Sequence, residues 1–459
     1  MAADTLTVHA HRAPLSEILD RFQEAGVRVA MDDRINPEIT ADFDGRETGE
    51  AVKRLLADCD YALSWQTIEG PAGKMRRLAE ILVYKPGDRR VLKPLPVVPI
   101  AALQTVRTNS VVCLKNEILI RLKAGTTKDQ FRALLIGSGA TVMDGIPALG
   151  IYRLRLSPGA SLADTLNALA KNPLTDRAEP NQVYRSVEPT RGDGTGISTV
   201  ARTLTASGGP GVAILDSGYT PTAALEKAVT ASFDAVTPGQ AISDPAGHGT
   251  QMALIAGGAV VPLGTTESGA AVSVIPVRAM DDQGISSGFS LMQGMVFALD
   301  NGARVINMSW GSETDSGFMN AALAYARQHG AVLVAAAGNE PTGRPWYPAA
   351  LPGVVAVAAL DPTGNVWDQS NYGSFVTLAA PGFAGMPVGY KGPPGLYGGT
   401  SISAAYTARA IAQYFVANPA ASAADAVAAL TKAATPGAAG VSHSEIPRLD
   451  STAVRTFLR

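Results

Sequence analysis

Between residues 211 and 359, five short runs are almost purely apolar: Gly211–Leu215, Val272–Val277, Val305–Ser309, Val332–Ala337 and Val354–Ala359. Helical stretches separate several of them. A strand that is apolar on both faces has to be covered on both, and strands joined by helical crossovers achieve this in a parallel sheet. The runs therefore predict an α/β domain with a mainly parallel central sheet. In such a sheet, ligand and catalytic groups gather beyond the carboxyl ends of the strands.

At 459 residues the chain is too long for one ordinary compact domain, and its composition shifts mark further parts. Residues 1–90 alternate short strands with amphipathic helices. Leu15, Ile18, Leu19 and Phe22 recur at helical spacing, Ala51, Val52, Leu55 and Leu56 form a second stripe, and Leu78–Tyr84 closes the region as a strand. Residues 91–110 carry Pro94, Pro96 and Pro99 without periodicity and read as a linker. Residues 111–186 follow the order βαββαβ, with Ser161 capping the second helix, and predict a ferredoxin-like α+β domain. Residues 187–207 are polar and rich in Gly, Ser and Thr, as a cleavable connector would be, and residues 208–459 form the large α/β domain.

Bulk properties exclude some roles. A net charge of -2 and a pI near 6.2 give no basic footprint for nucleic acid or an anionic membrane. No apolar run approaches the roughly 20 residues that span a bilayer. Met1-Ala-Ala-Asp4 has neither a basic nor an apolar leader segment, so the protein is either cytosolic or has had a signal peptide removed; Ala-Ala-Asp resembles a mature N-terminus, which favours a secreted or periplasmic, cell-envelope protein. Cys59 and Cys113 are either free thiols or a bridge between the first two domains, and no Cys/His pattern suggests a metal.

Three residues stand out chemically. Asp216 ends the first apolar run, where a carboxylate orients an imidazole or caps a turn. His248 lies in Asp244-Pro-Ala-Gly-His-Gly-Thr250 at the opening of a helix, flanked by glycines that allow close approach. Ser401 lies in Gly398-Gly-Thr-Ser-Ile-Ser403 at another helix start, where backbone N–H groups favour an oxyanion; alone, it reads equally as a helix cap.

Taken together, Ile-Leu-Asp-Ser-Gly, Gly-His-Gly-Thr and Gly-Thr-Ser, in the order Asp, His, Ser, resemble the subtilases, the subtilisin-type serine endopeptidases. A fourth segment, Ala335-Ala-Ala-Gly-Asn-Glu340, is similar to the one that carries that family's side-chain oxyanion donor. The resemblance implies a three-layer subtilisin-like domain with Asp216, His248 and Ser401 as catalytic triad and Asn339 in the oxyanion hole. It also implies substrate contacts from Ser286, Ser309, Trp310, Gly311 and Gly338. Trp310 would wall the P1 pocket, and Trp346 would lie at its floor, favouring small P1 residues. Departures are Ile402, Ser403 and Ala405, where the family commonly has Met, Ala and Pro. Calcium is frequent in the family, but no contiguous acidic loop argues for it here. Asn116–Leu122 and Ala178–Tyr184 resemble the subtilase propeptide, which implies an autoprocessing zymogen acting on proteins or peptides and inhibited in cis. The alternative is a propeptide-locked binding or signalling scaffold. Residues 1–90 resemble the N-terminal domain of secretins and TonB-dependent receptors, which implies an envelope protein partner.

Overall fold

The computed structural model describes residues 5–70, 72–87, 93–94, 104–108, 111–193, 200–204, 209–265, 271–437 and 445–458. It divides into two compact units, Met1–Gln182 and Val183–Arg459.

In the first unit the helix Leu15–Glu24 follows the strand Thr5–Pro14, and its Leu15, Leu19 and Phe22 are buried at the spacing read from sequence. Its apolar face packs with Val29, Ala51, Val52 and Ile81 in one core. A four-stranded sheet runs in the order Asp60–Ile68, Met75–Tyr84, Arg28–Met31, Lys93–Pro94, and a separate ribbon pairs Thr5–Pro14 with Glu38–Glu47. Glu38–Glu47 and Asp60–Ile68 are strands that the hydrophobic pattern did not announce, because both carry many exposed or half-exposed residues.

The same unit contains the expected βαββαβ segment: Val111–Leu122, Lys128–Ser138, Ala140–Ile146, Ile151–Leu156, Leu162–Lys171 and Thr175–Ser186. Counted from one to four, its strands lie side by side as four, one, three, two, every neighbour antiparallel. Through Gln182 the last strand belongs to this sheet. Thr105–Thr108, inside the stretch expected to be linker, pairs antiparallel with Val111–Leu122. The core of this sheet takes in Ile68, Ala72 and Met75 from the preceding domain beside Phe131, Tyr152 and Leu154. Tyr152 accepts a hydrogen bond from the Ala72 N–H at 3.1 Å, and a Cβ at Gly70 would stand 2.2 Å from its ring. Cys59 and Cys113 are both free thiols.

The second unit is built on a seven-stranded sheet, ordered Phe233–Asp234, Val274–Arg278, Gly211–Asp216, Ala303–Met308, Val332–Ala336, Val354–Leu360, Leu378–Pro381, with every pairing parallel. It is the covered, parallel α/β sheet that the apolar runs predict. Alternate residues serve alternate faces. Val212, Ile214, Val305 and Val334 share a core with Met252 and Ile255 of the helix His248–Gly257 and Ile402 and Ile411 of the helix Thr400–Ala417. On the other face, Gly294 of the helix Gly288–Asp300 lies so near Val277 and Leu215 that a Cβ would sit 2.6 Å from Val277. Burial of both faces is the physical reason for the near-continuous apolar runs. No described helix is long and apolar enough to cross a membrane.

Candidate active site

Asp216 is the last residue of its strand and is fully buried. Its Oδ1 accepts a hydrogen bond from the Ser217 N–H at 2.7 Å and lies 2.7 Å from His248 Nδ1. His248 opens its helix behind Gly247, which has φ 85°. The flanking glycines are sterically required. A Cβ on Gly247 would sit 2.2 Å from the Gly389 carbonyl oxygen, and one on Gly249 2.3 Å from that of Gly218. Burial pulls the imidazole pKa down, but the Asp216 carboxylate outweighs it, with smaller help from Asp244 and Glu188, and the net shift is upward. His248 Nε2 and Asp216 Oδ2 are buried without a hydrogen-bond partner, an unsatisfied pair of the kind found where protons move.

Asp244, four residues before the histidine, was not singled out from sequence. Its buried carboxylate accepts from Ser217 Oγ at 2.7 Å, the Gly247 N–H at 2.9 Å, the Thr250 N–H at 2.7 Å and Thr250 Oγ1 at 2.6 Å. Ser217 Oγ in turn accepts from the Gly249 N–H at 2.9 Å. This knot satisfies the open N–H groups of Gly247, Gly249 and Thr250 at the start of the His248 helix and ties that start to the end of the Asp216 strand.

The cleft is filled by the chain itself, through residues 183–191. Val183, Tyr184 and Arg185 pair antiparallel with Ser287, Ser286 and Ile285, and Arg185 and Ser186 pair with Gly311 and Trp310. Val187 N–H donates to the Ser309 carbonyl at 3.0 Å. Ser401, second residue of its helix and fully buried, donates from Oγ to the Val187 carbonyl oxygen at 2.9 Å. Beyond this point Thr190 and Arg191 pair with Gly398 and Tyr397. The segment lies as an extended peptide between two strands, with Val187 O at the serine.

Asn339 is aimed by Thr400: its Oδ1 accepts from the Thr400 N–H at 2.9 Å and from Thr400 Oγ1 at 2.8 Å. Its Nδ2 donates to the Glu188 carbonyl at 2.8 Å, one residue beyond the carbonyl that Ser401 touches. Ser286 pairs with Tyr184 through the main chain, and its hydroxyl donates to the Ala279 carbonyl.

The two tryptophans divide the work differently from the expectation. Trp310 is fully buried and packs edge to face on Tyr184, centroids 5.3 Å apart, so it does not wall the pocket of Val187. The reason is strand geometry. Trp310 is in register with Ser186, and its diagonal neighbour on the same face is Tyr184, whereas Val187 points the other way. Trp346 lies against both Gly311 and Gly338: a Cβ would stand 2.1 Å from its Nε1 at Gly311 and 3.8 Å from its Cδ1 at Gly338. The indole thus touches the glycines expected to line the pocket, and it packs on the core cluster that contains Val187. Among the described residues no group of three or more His, Cys, Asp or Glu is placed to hold a metal ion.

Comparison with known proteins finds matches to two parts of the chain. Residues 207–446 match the family model described as the subtilase family, and residues 104–181 match that of the fervidolysin N-terminal prodomain. The thermophilic serine proteinase of Bacillus sp. (strain AK1) is 28% identical over 59% of this chain and 70% of that protein. The minor extracellular protease Epr of Bacillus subtilis (strain 168) is 34% identical over 37% of this chain, but this chain spans only 26% of Epr. The crystal structure of fervidolysin from Fervidobacterium pennivorans superposes with a TM-score of 0.59 at 22% identity, over 77% of this chain and 62% of that one.

Proposed function

The chain belongs to the subtilase family, and we propose that it is a serine endopeptidase made as a zymogen that cuts itself between Val187 and Glu188. The observation that carries this reading is the hydrogen bond from Ser401 Oγ to the Val187 carbonyl, in a strand paired on both sides as a substrate would be. His248 Nε2 takes the Ser401 proton as Oγ attacks the Val187 carbonyl carbon. Asp216 holds the ring by Nδ1 and stabilises the imidazolium. Negative charge develops on the Val187 oxygen, for which we assign Asn339 Nδ2 and the Ser401 N–H as donors. His248 then protonates the Glu188 nitrogen as the C–N bond breaks, leaving an acyl-enzyme on Val187 that water hydrolyses. Val187 as P1, with Trp346 against Gly311 and Gly338, favours cleavage after small side chains.

Ser401→Ala tests the reading. Mass spectrometry of the full chain should find cleavage after Val187 in wild type and an intact chain in the variant. Intact wild type under all refolding conditions, or cleavage independent of Ser401, would overturn it. The name of the extracellular relative supports a secreted protein. The likeness of residues 1–90 to secretin and TonB-receptor domains has no counterpart in the matched family models, which cover 104–181 and 207–446. An envelope partner is therefore not part of the proposal.

A further inference from the structure

One polar side chain at the cut bond has no part in the chemistry above. We propose that Tyr390 and Lys391 form a cradle for the residue that follows the scissile bond, and that it selects protein and peptide substrates with Asp or Glu there. The proposal rests on Val187–Glu188 being the bond that is cut.

Glu188 Oε1 accepts a hydrogen bond from the Tyr390 hydroxyl and lies 3.1 Å from Lys391 Nζ. Lys391 Nζ stands 5.0 Å from the centre of the Tyr390 ring, and that ring meets His248 edge on at 5.8 Å. The carboxylate is thus received by one neutral and one cationic donor, directly beside the catalytic base. Burial and then the Glu188 carboxylate push the Tyr390 phenol well up, so it remains a donor throughout the range where the enzyme would work. Burial alone would raise the Glu188 pKa, but Tyr390 and Lys391 outweigh it and hold it below the usual carboxylate range.

The cradle is built into the catalytic framework. Lys391 N–H donates to the Ala246 carbonyl at 3.0 Å, Tyr390 N–H to the Tyr397 hydroxyl at 3.2 Å, and Gln251 Nε2 to the Val388 carbonyl at 2.7 Å. Ala246 and Gln251 bracket His248 in sequence, so the loop is fastened to the helix that bears the base. Lys391 is held at φ 46°, a left-handed conformation that non-glycine residues avoid unless their surroundings impose it. Glutamine at the substrate position would keep a hydrogen bond and lose the ion pair, and lysine would face Lys391. Because the Glu188 and Lys391 side chains stay 57% and 39% exposed, screening keeps the preference moderate, about two- to fivefold for Glu over Gln.

The test uses enzyme expressed as the full chain and allowed to process itself, with quenched fluorescent peptides of sequence Val-Tyr-Arg-Ser-Val-X-Pro-Thr-Arg-Gly, with X as Glu, Gln or Lys. The kcat/KM should fall in that order, and Lys391→Glu should invert the order of Glu and Lys. Equal values for Glu and Gln, or an order unmoved by Lys391→Glu, would overturn the cradle. Failure to cut any peptide in a Ser401-dependent way would instead sink the protease reading. The cradle is then judged in the uncut Ser401→Ala chain by NMR titration of Glu188, with its signal assigned by Glu188→Gln. Lys391→Ala should raise that titration midpoint, and an unchanged midpoint would refute the proposal.

Discussion

At the scale of single residues, the pKa of His248 sets the pH range of the reaction. Only the neutral imidazole can accept the Ser401 proton, so the processing rate should be lost as pH falls through a midpoint above the ordinary histidine value. Asp216→Asn removes the main cause of the upward shift. The midpoint should drop while the rate falls by about four orders of magnitude, as the same change does in another serine protease. The sign for stability is opposite to that for activity. A raised folded-state pKa means that the Asp216–His248 pair stabilises the fold fully below about pH 6.5, and that the contribution fades as pH climbs through the raised value. Replacing Asn339 by Leu should lower kcat about a hundred- to thousandfold with little change in KM, the range measured for such a donor in a subtilisin. Trp346→Ala should shift peptide preference at P1 from Ala or Val toward Leu and Phe, read from a P1-varied library. An unchanged library profile would show that the indole does not limit the pocket.

At the scale of elements, catalysis depends on how a strand end and a helix start are joined. Asp244 does this with four accepted hydrogen bonds, none of them to the reacting groups. Asp244→Ala would orphan several buried donors at about 1–3 kcal/mol each, partly recovered by water, so an overall loss near 3 kcal/mol is expected. Asp244 is therefore a positioning residue. Its loss should slow Ser401-dependent processing as well as lower the thermal midpoint, and Asp244→Asn should restore both in part. The substrate-like strand follows the same logic: paired backbone gives register, and the edge-to-face contact of Tyr184 with Trp310 contributes about 0.5–1.5 kcal/mol of anchoring three residues upstream.

At the scale of the molecule, the first 182 residues behave as one unit although sequence divides them in two. Tyr152 explains this, because its ring covers Gly70 and its oxygen receives the Ala72 N–H across the expected domain boundary. Tyr152→Ala should destabilise this unit by about 3–5 kcal/mol, seen as an earlier urea transition of the full chain carrying Ser401→Ala. A transition shifted by less than 1 kcal/mol would mean that the two parts hold together by other contacts.

Much was legible from sequence because the relevant forces are local or periodic. Two-faced apolar runs dictate a covered parallel sheet, helical spacing marks Leu15, Leu19 and Phe22, and the residues we propose as catalytic carry their own glycine-framed turns. Polar strands such as Glu38–Glu47 and Asp60–Ile68 were not legible, since pairing across the chain and not burial makes them strands. Sequence motifs alone singled out Asp216, His248 and Ser401 for the chemistry we propose. Only the tertiary structure decided that Val187 lies at the serine, that Trp310 serves Tyr184, and that Glu188 meets Tyr390 and Lys391. These are contacts between segments about 120 to 210 residues apart in the chain, and their register is set by strand pairing and close packing, which no local pattern encodes.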